Sequence, residues 1–226
     1  FIKEVTFMLL YHRSIKKIIK HYTFSILAGT LVLSSAIMSG CSAETDTTQT
    51  KKSESQEPIS TTAIKLNTAV TVTIYDSQDR NLLTECMNLC DKYEKIFSRT
   101  ASDSELYKLN HRQLTPVDGT DHTYQVSDSL AELIQKGLYY SGLSDGAFDI
   151  AIEPLTSLWD FTAEDPQVPE DSLIQTALSK CDYRNISIGG KDNNEITLKT
   201  DDTAIELGAI AKGYIADRLK EYLISQ

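Results

Sequence analysis

Apolar and polar side chains alternate over residues 69–75, where Val70, Val72 and Ile74 fall on one side and Thr71 and Thr73 on the other. A period of two predicts a half-buried strand. The period then lengthens: Leu82, Leu83, Cys86, Leu89, Cys90, Tyr93 and Phe97 recur at three- and four-residue spacing, the apolar stripe of an amphipathic helix over residues 81–97. A short helix is expected over 104–109, with Ser102 or Asp103 as its cap, and a longer one over 127–141, ending at Gly142. A further helix over 169–180 would turn Leu173, Ala177 and Leu178 inward. Short strands are expected at 185–188, 195–199 and 203–207, with Gly189-Gly190 and Asp192-Asn193-Asn194 as turns. Helices and strands do not alternate strictly, so the pattern predicts an α+β domain, a mixed sheet with packed helices, over a doubly wound sheet.

The first forty residues follow a different rule. Arg13, Lys16, Lys17 and Lys20 precede a mostly apolar run from Tyr22 to Met38, and Met38-Ser39-Gly40 sets small residues before Cys41. This resembles a bacterial lipoprotein signal, residues 1–40, cleaved so that Cys41 carries the lipid. The apolar run is short and rich in Ser, Thr and Gly for a membrane span. Residues 41–62 hold Thr, Ser, Glu, Gln and Lys with almost no large apolar side chain, the composition of a disordered tether. The folded part is expected over residues 63–226, enough for one core.

Charge narrows the partners. Residues 1–40 carry +4, so the −10 of the whole chain leaves −14 on the remainder. Such an excess of carboxylates argues against nucleic acid and against a second, electrostatic contact with a membrane. Cys86 and Cys90, four apart on the helical stripe, read as core packing, since a zinc site needs further Cys or His ligands and a disulfide would strain the helix.

Chemistry concentrates late in the chain. Ile205-Glu206-Leu207-Gly208-Ala209-Ile210-Ala211-Lys212-Gly213-Tyr214-Ile215-Ala216-Asp217 reads as a strand passing through a glycine turn into a helix, with a carboxylate and an ammonium around backbone that admits close approach. The plain alternative is an ion pair from Glu206 to Lys212 or Asp217. Upstream, Gly146-Ala147-Phe148-Asp149-Ile150 places an Asp between two large apolar residues, a costly position unless it is hydrogen-bonded. With Phe97-Ser98-Arg99-Thr100, Ser104-Glu105-Leu106 and Leu109-Asn110, these segments closely resemble the FAD:protein FMN transferases, bacterial flavin-trafficking enzymes of the extracytoplasmic face.

The resemblance spans residues 66–217 and implies a flavin-transferase-like fold. It also implies that the chain stops before the family's C-terminal part, where the carboxylate metal ligands are expected, beyond Gln226. Implied FAD contacts are Leu66, Thr100, Ala147, Phe148, Asp149, Glu206 and Lys212, and the Ala209 carbonyl is the implied Mg²⁺ ligand; no catalytic base is assigned. Two positions depart from the family: Leu66-Asn67-Thr68 stands for a Met-Gly-Thr turn, with Asn67 tolerable where the backbone is left-handed, and Thr100 stands where an aromatic residue is common. The implied reaction is Mg²⁺-dependent transfer of FMN from FAD, its substrate, to a Thr or Ser hydroxyl, releasing AMP. The implied acceptor is an extracytoplasmic flavoprotein subunit of a redox-driven ion pump or electron-transfer chain. Two alternatives stay open: a lipid-anchored flavin- or solute-binding protein without transferase activity, and a structural or interaction lipoprotein of the envelope.

The anchor is directly testable. Cys41→Ser should leave the tether and domain intact and move the protein from the membrane fraction to the soluble fraction, because the acidic body offers no other attachment. A mutant with its leader removed that stays on membranes at the parent level refutes the anchor.

Overall fold

The computed structural model describes residues 57–160 and 163–226; the leader, Cys41 and the tether to residue 56 lie outside the described residues. A hairpin comes first. Strand β1 (Ile59–Lys65) pairs antiparallel with β2 (Thr68–Ile74), in register from Ile59↔Ile74 to Lys65↔Thr68. Strand β1 therefore lies partly inside the segment expected to be tether to residue 62. Its polar residues find cross-strand partners: the Ser60 hydroxyl lies 3.1 Å from that of Thr73, and Thr62 lies 2.8 Å from Thr71. Hydroxyl pairs on the solvent face stabilise a strand while leaving no apolar trace in the sequence.

Leu66 and Asn67 make the hairpin turn with φ of 54° and 55°, the left-handed pair that a two-residue type I′ turn requires. Asn accepts this conformation readily, whereas Leu does so at a cost of about 1–2 kcal/mol.

Helix α1 (Arg80–Phe97) is capped by Asp79, whose carboxylate accepts from the Asn81 N–H at 2.9 Å. It buries Leu83, Cys86, Cys90, Tyr93 and Phe97, five of the seven predicted stripe positions, while Leu82 and Leu89 stay half-buried at its edge. Cys86 and Cys90 are wholly enclosed, as core packing demands, and burial pushes both thiols above their ordinary pKa. Helix α2 (Glu105–Asn110) is capped by Ser104 rather than by Ser102 or Asp103: the Ser104 hydroxyl accepts from the Tyr107 N–H and donates to the Ser98 carbonyl. It buries Leu106 and Leu109 completely.

Strand β3 (Thr123–Gln125), too short to register as a period, joins β4 (Ile186–Gly189) and β5 (Glu195–Leu198) in an antiparallel sheet of order β3-β5-β4. Helix α3 (Asp128–Leu143) is capped by Ser127. The Ser127 N–H and hydroxyl both donate to the Glu105 carboxylate, at 2.6 and 2.5 Å, tying the starts of α2 and α3 together. The chain then reverses through Asp145 and Gly146, at φ of 52° and 79°, and the Gly146 N–H returns to the Ser141 carbonyl at 2.9 Å. A short α4 (Glu153–Thr156) and α5 (Asp171–Leu178) follow. Of the three residues expected to face inward from α5, Ala177 is buried, but Leu173 and Leu178 stay 53% and 50% exposed. A two-turn helix at the periphery docks through one small residue.

Helix α6 (Gly208–Ser225) closes the core against α1, where Tyr93 and Phe97 stack at 5.6 Å and Tyr214 meets both edge-on, at 5.9 and 5.5 Å. Arrangements of this kind suit the ring quadrupoles. No helix among the described residues is long and apolar enough to cross a membrane. The observed class is the predicted one, a mixed α+β fold, but in place of one mixed sheet the described residues form two separate sheets whose strand pairs are all antiparallel.

The expected strand at 203–207 is absent as a strand, because its partner is a side chain. The Ile205 N–H donates to Asn110 Oδ1 at 2.8 Å, and Asn110 Nδ2 donates back to the Ile205 carbonyl at 2.9 Å. A carboxamide offers the donor and acceptor of a peptide group, so one residue stands in for a neighbouring strand. Arg112 secures the preceding loop by donating to the carbonyls of Thr200, Asp201 and Thr203. The next residue is held as well: the Glu206 N–H donates to the Ile150 carbonyl at 2.8 Å. Ile150 reaches this point only because Gly137 has no side chain, since a Cβ there would stand 2.7 Å from Ile150 Cγ2.

Asn110→Ala should strip two hydrogen bonds from the fully buried Ile205, destabilising the fold by about 2–4 kcal/mol. Asn110→Asp keeps the acceptor alone and should fall between. Urea midpoints at constant slope measure both, and an alanine variant within about 0.5 kcal/mol of the parent refutes the substitute-strand role.

Candidate functional site

Four of the expected FAD contacts converge. The hairpin turn brings Leu66, the loop after α1 brings Thr100, the Asn110-held segment brings Glu206, and the first turns of α6 bring Lys212, all to one cavity of about 200 Å³. Asn67, Glu94, Phe97, Arg99 and Gly208 complete much of its wall. Phe148 and Ala209 line a second cavity of about 430 Å³ with Tyr140, Leu143, Ser144 and Ile210. The first turn of α6 contributes to both. Ala147 is exposed and lines neither cavity.

Asp149 also lies outside both cavities. Its two carboxylate oxygens accept from the Ala151 N–H at 2.7 Å and the Tyr183 N–H at 3.0 Å. These bonds meet the condition that the sequence set for a carboxylate between Phe148 and Ile150, and they brace the wall behind Phe148.

Glu206 pairs neither with Lys212 nor with Asp217. Its Oε2 meets Arg99 Nε and its Oε1 accepts from the Gly208 N–H at 2.7 Å. The carboxylate thereby caps the start of α6, where negative charge is stabilised by the helix dipole. Lys212 is exposed on the cavity wall and has no ion pair among the described residues. One cation of the cavity is thus committed and the other is free to meet an anion.

Arg99 and Glu153 were not singled out by the sequence reading. Arg99 bridges two carboxylates, reaching Glu153 Oε1 at 3.7 Å as well as Glu206. Burial pushes the Glu153 carboxyl above its ordinary pKa; Arg99 opposes the shift, Glu206 adds to it and His111 opposes it. The available signal was a carboxylate inside the apolar run Ile150-Ala151-Ile152-Glu153-Pro154-Leu155, which needed a cation that only the fold identifies.

The donor set for a metal is thin. Ala209 is the second residue of α6, and among the described residues no group of three or more His, Cys, Asp or Glu side chains converges on a possible metal position. One carbonyl is short of a magnesium shell, so no step is routed through a metal.

Comparisons with known proteins identify the family and the fold. The model of the ApbE family matches residues 66–226. An FAD:protein FMN transferase of Klebsiella pneumoniae (strain 342) is 29% identical over 164 residues, 73% of this chain and 49% of the relative. One from Treponema pallidum (strain Nichols) is 30% identical over 148 residues, 62% of this chain and 38% of the relative. The chain therefore spans about half the length of these relatives or less. Among solved structures, the ApbE protein of Thermotoga maritima superposes with a TM-score of 0.64 at 26% identity, covering 75% of this chain and 53% of that one. The flavin transferase ApbE of Vibrio cholerae shares the fold, with a TM-score of 0.65 at 24% identity over 75% of this chain and 54% of that one.

The raised Glu153 carboxyl has a consequence for stability. Folded protein binds this proton more tightly than unfolded protein, so the contribution is full below the ordinary carboxylate range and is lost as pH rises through the folded pKa. Glu153→Gln removes that loss. The variant should gain on the parent in urea midpoint as pH rises above the ordinary carboxylate range, and a difference that stays flat over this rise refutes the assignment.

Proposed function

Because the chain belongs to the ApbE family, we propose that its paired cavities bind FAD and serve the transfer of FMN to a Thr or Ser hydroxyl of an acceptor flavoprotein, with release of AMP. The supporting observation is the convergence of Leu66, Thr100, Glu206 and Lys212, from four separate segments, on one cavity with an ammonium that has no ion pair among the described residues. A dinucleotide exceeds the 200 Å³ of that cavity and needs the neighbouring apolar one as well, since pockets for sizeable ligands run to about 300–1,000 Å³.

In this reading Lys212 neutralises pyrophosphate as a compact charge. Glu206, oriented by Arg99 and the Gly208 N–H, presents a fixed acceptor edge to the ligand, and Thr100 offers a hydroxyl. Leu66 and Phe148 supply apolar surface, Ala147 leaves room for close approach, and Asp149 braces the wall at Phe148. The acceptor oxygen forms a bond to the phosphorus of the FMN half, the bond from that phosphorus to the bridging oxygen of AMP breaks, and the hydroxyl proton leaves with solvent or a base. Were magnesium to serve this reaction, the Ala209 carbonyl would be one hard oxygen donor, and the described residues alone do not complete its shell. Lipid attachment at Cys41 would hold the domain at the extracytoplasmic face of the membrane, beside flavoprotein subunits of redox-driven ion pumps or electron-transfer chains.

A binding protein without transferase activity is the second reading, favoured by the departures from the family pattern at Leu66-Asn67 and Thr100. Incorporation of flavin into a Thr-containing acceptor separates the two.

Lys212→Met keeps the apolar stem and removes the charge. With no ion pair to lose, the unfolding midpoint without FAD should shift by no more than about 0.5 kcal/mol equivalent. FAD affinity should fall about ten- to a hundredfold, measured by titration calorimetry. A lowered midpoint with unchanged FAD affinity defeats the pyrophosphate role.

A further inference from the structure

We infer that Lys65 and Asp91 form a latch that positions the hairpin turn over the cavity, and that this latch sets the affinity of the cavity for its ligand. The inference rests on the FAD-binding reading above. The β1–β2 hairpin is a separate two-stranded sheet, and such a ribbon is marginal unless something fixes it. It is fixed along its inner face, where Val70 and Val72 pack on the main core, and at both ends. At its open end Ile59 and Ile74 pack on Leu83 of α1, with Leu223 of α6 alongside. At its closed end Lys65 Nζ donates to both oxygens of Asp91 on α1, at 2.5 and 2.7 Å.

The closed-end attachment lies next to the site. Lys65 is the last residue of β1 and immediately precedes Leu66 and Asn67, both of which line the cavity. Leu66 holds a φ of 54°, a conformation that persists only where the surroundings over-determine it. Its side chain packs on the main core. The Lys65 ammonium is 23% exposed and the Asp91 carboxylate 48%, so the pair is partly shielded and its geometry is bidentate. Neither residue lines that cavity, so both act through the turn as positioning residues.

The test uses the full chain and FAD as the probe. Lys65→Met should weaken FAD binding about fivefold and speed hydrogen exchange at Lys65 and Thr68, while exchange in β5 and α3 stays at the parent rate. Asp91→Asn should reproduce both effects, and Lys65→Arg, which restores a charged fork for the carboxylate, should recover affinity and protection. Unchanged exchange at the turn in both loss variants overturns the latch. Faster exchange at the turn with parental FAD affinity overturns its role in binding, and failure of Lys65→Arg to recover either reading does the same. A parent protein that binds no FAD overturns the proposed function instead, and the exchange measurements still decide whether the latch exists.

Discussion

Asn110 holds together parts of the chain that otherwise have no reason to meet. Its carboxamide takes the place of a strand beside Ile205, 95 residues away in sequence. Because Glu206 follows Ile205, this contact fixes where the capping carboxylate sits, where α6 begins and which way Lys212 projects. The hairpin, α1 and the three-stranded sheet are each plausible local structures; the cavity exists only when the 203–207 segment is threaded between α2 and the Ile150 backbone. A side-chain partner suits this task, since it satisfies one residue's backbone and leaves the next free to turn into a helix.

The electrostatic arrangement is economical in cations. The domain is strongly acidic, yet Arg99 and Lys212 face the same cavity as Glu94 and Glu206. Arg99 is engaged by Glu206 and Glu153, which keeps the guanidinium in place and leaves the ammonium of Lys212 as the available positive charge. Partly buried carboxylates beside an arginine hold their geometry because separating them would strand a charge away from water. An anionic ligand therefore meets a wall whose positive pole is set by one flexible side chain, beside a Glu206 carboxylate already engaged by Arg99 and the Gly208 N–H.

Regular elements with strong periods were legible from the sequence: α1 and its buried stripe, β2, α3 and the short β4 and β5 strands. What escaped depends on partners distant in the chain. Ser60 and Thr62 look like linker until Thr71 and Thr73 lie opposite, and residues 203–207 look like a strand until Asn110 replaces the neighbour. Within the site, the Leu66, Thr100, Glu206 and Lys212 positions came from motif resemblance and do lie together. Arg99 stood in the Phe97–Thr100 segment without an assigned role and Glu153 in no motif, because their roles arise from ion pairs to partners distant in the chain. Asp149 illustrates the reverse: its sequence context demanded hydrogen bonds, and backbone N–H groups supply them.

Gly137 shows what this architecture excludes. A glycine inside an exposed helix is an ordinary target for thermostabilisation, because alanine restricts the unfolded chain and favours the helix. That route is obstructed at 137, where a methyl group would stand 2.7 Å from Ile150 Cγ2 and force this fully buried side chain, on the residue whose carbonyl receives Glu206, to shift. The weak point in α3 is thus a spacer for the cavity on the far side of the 150 segment, and any engineered variant of this scaffold must treat residue 137 as part of the ligand-binding design rather than as free helix surface.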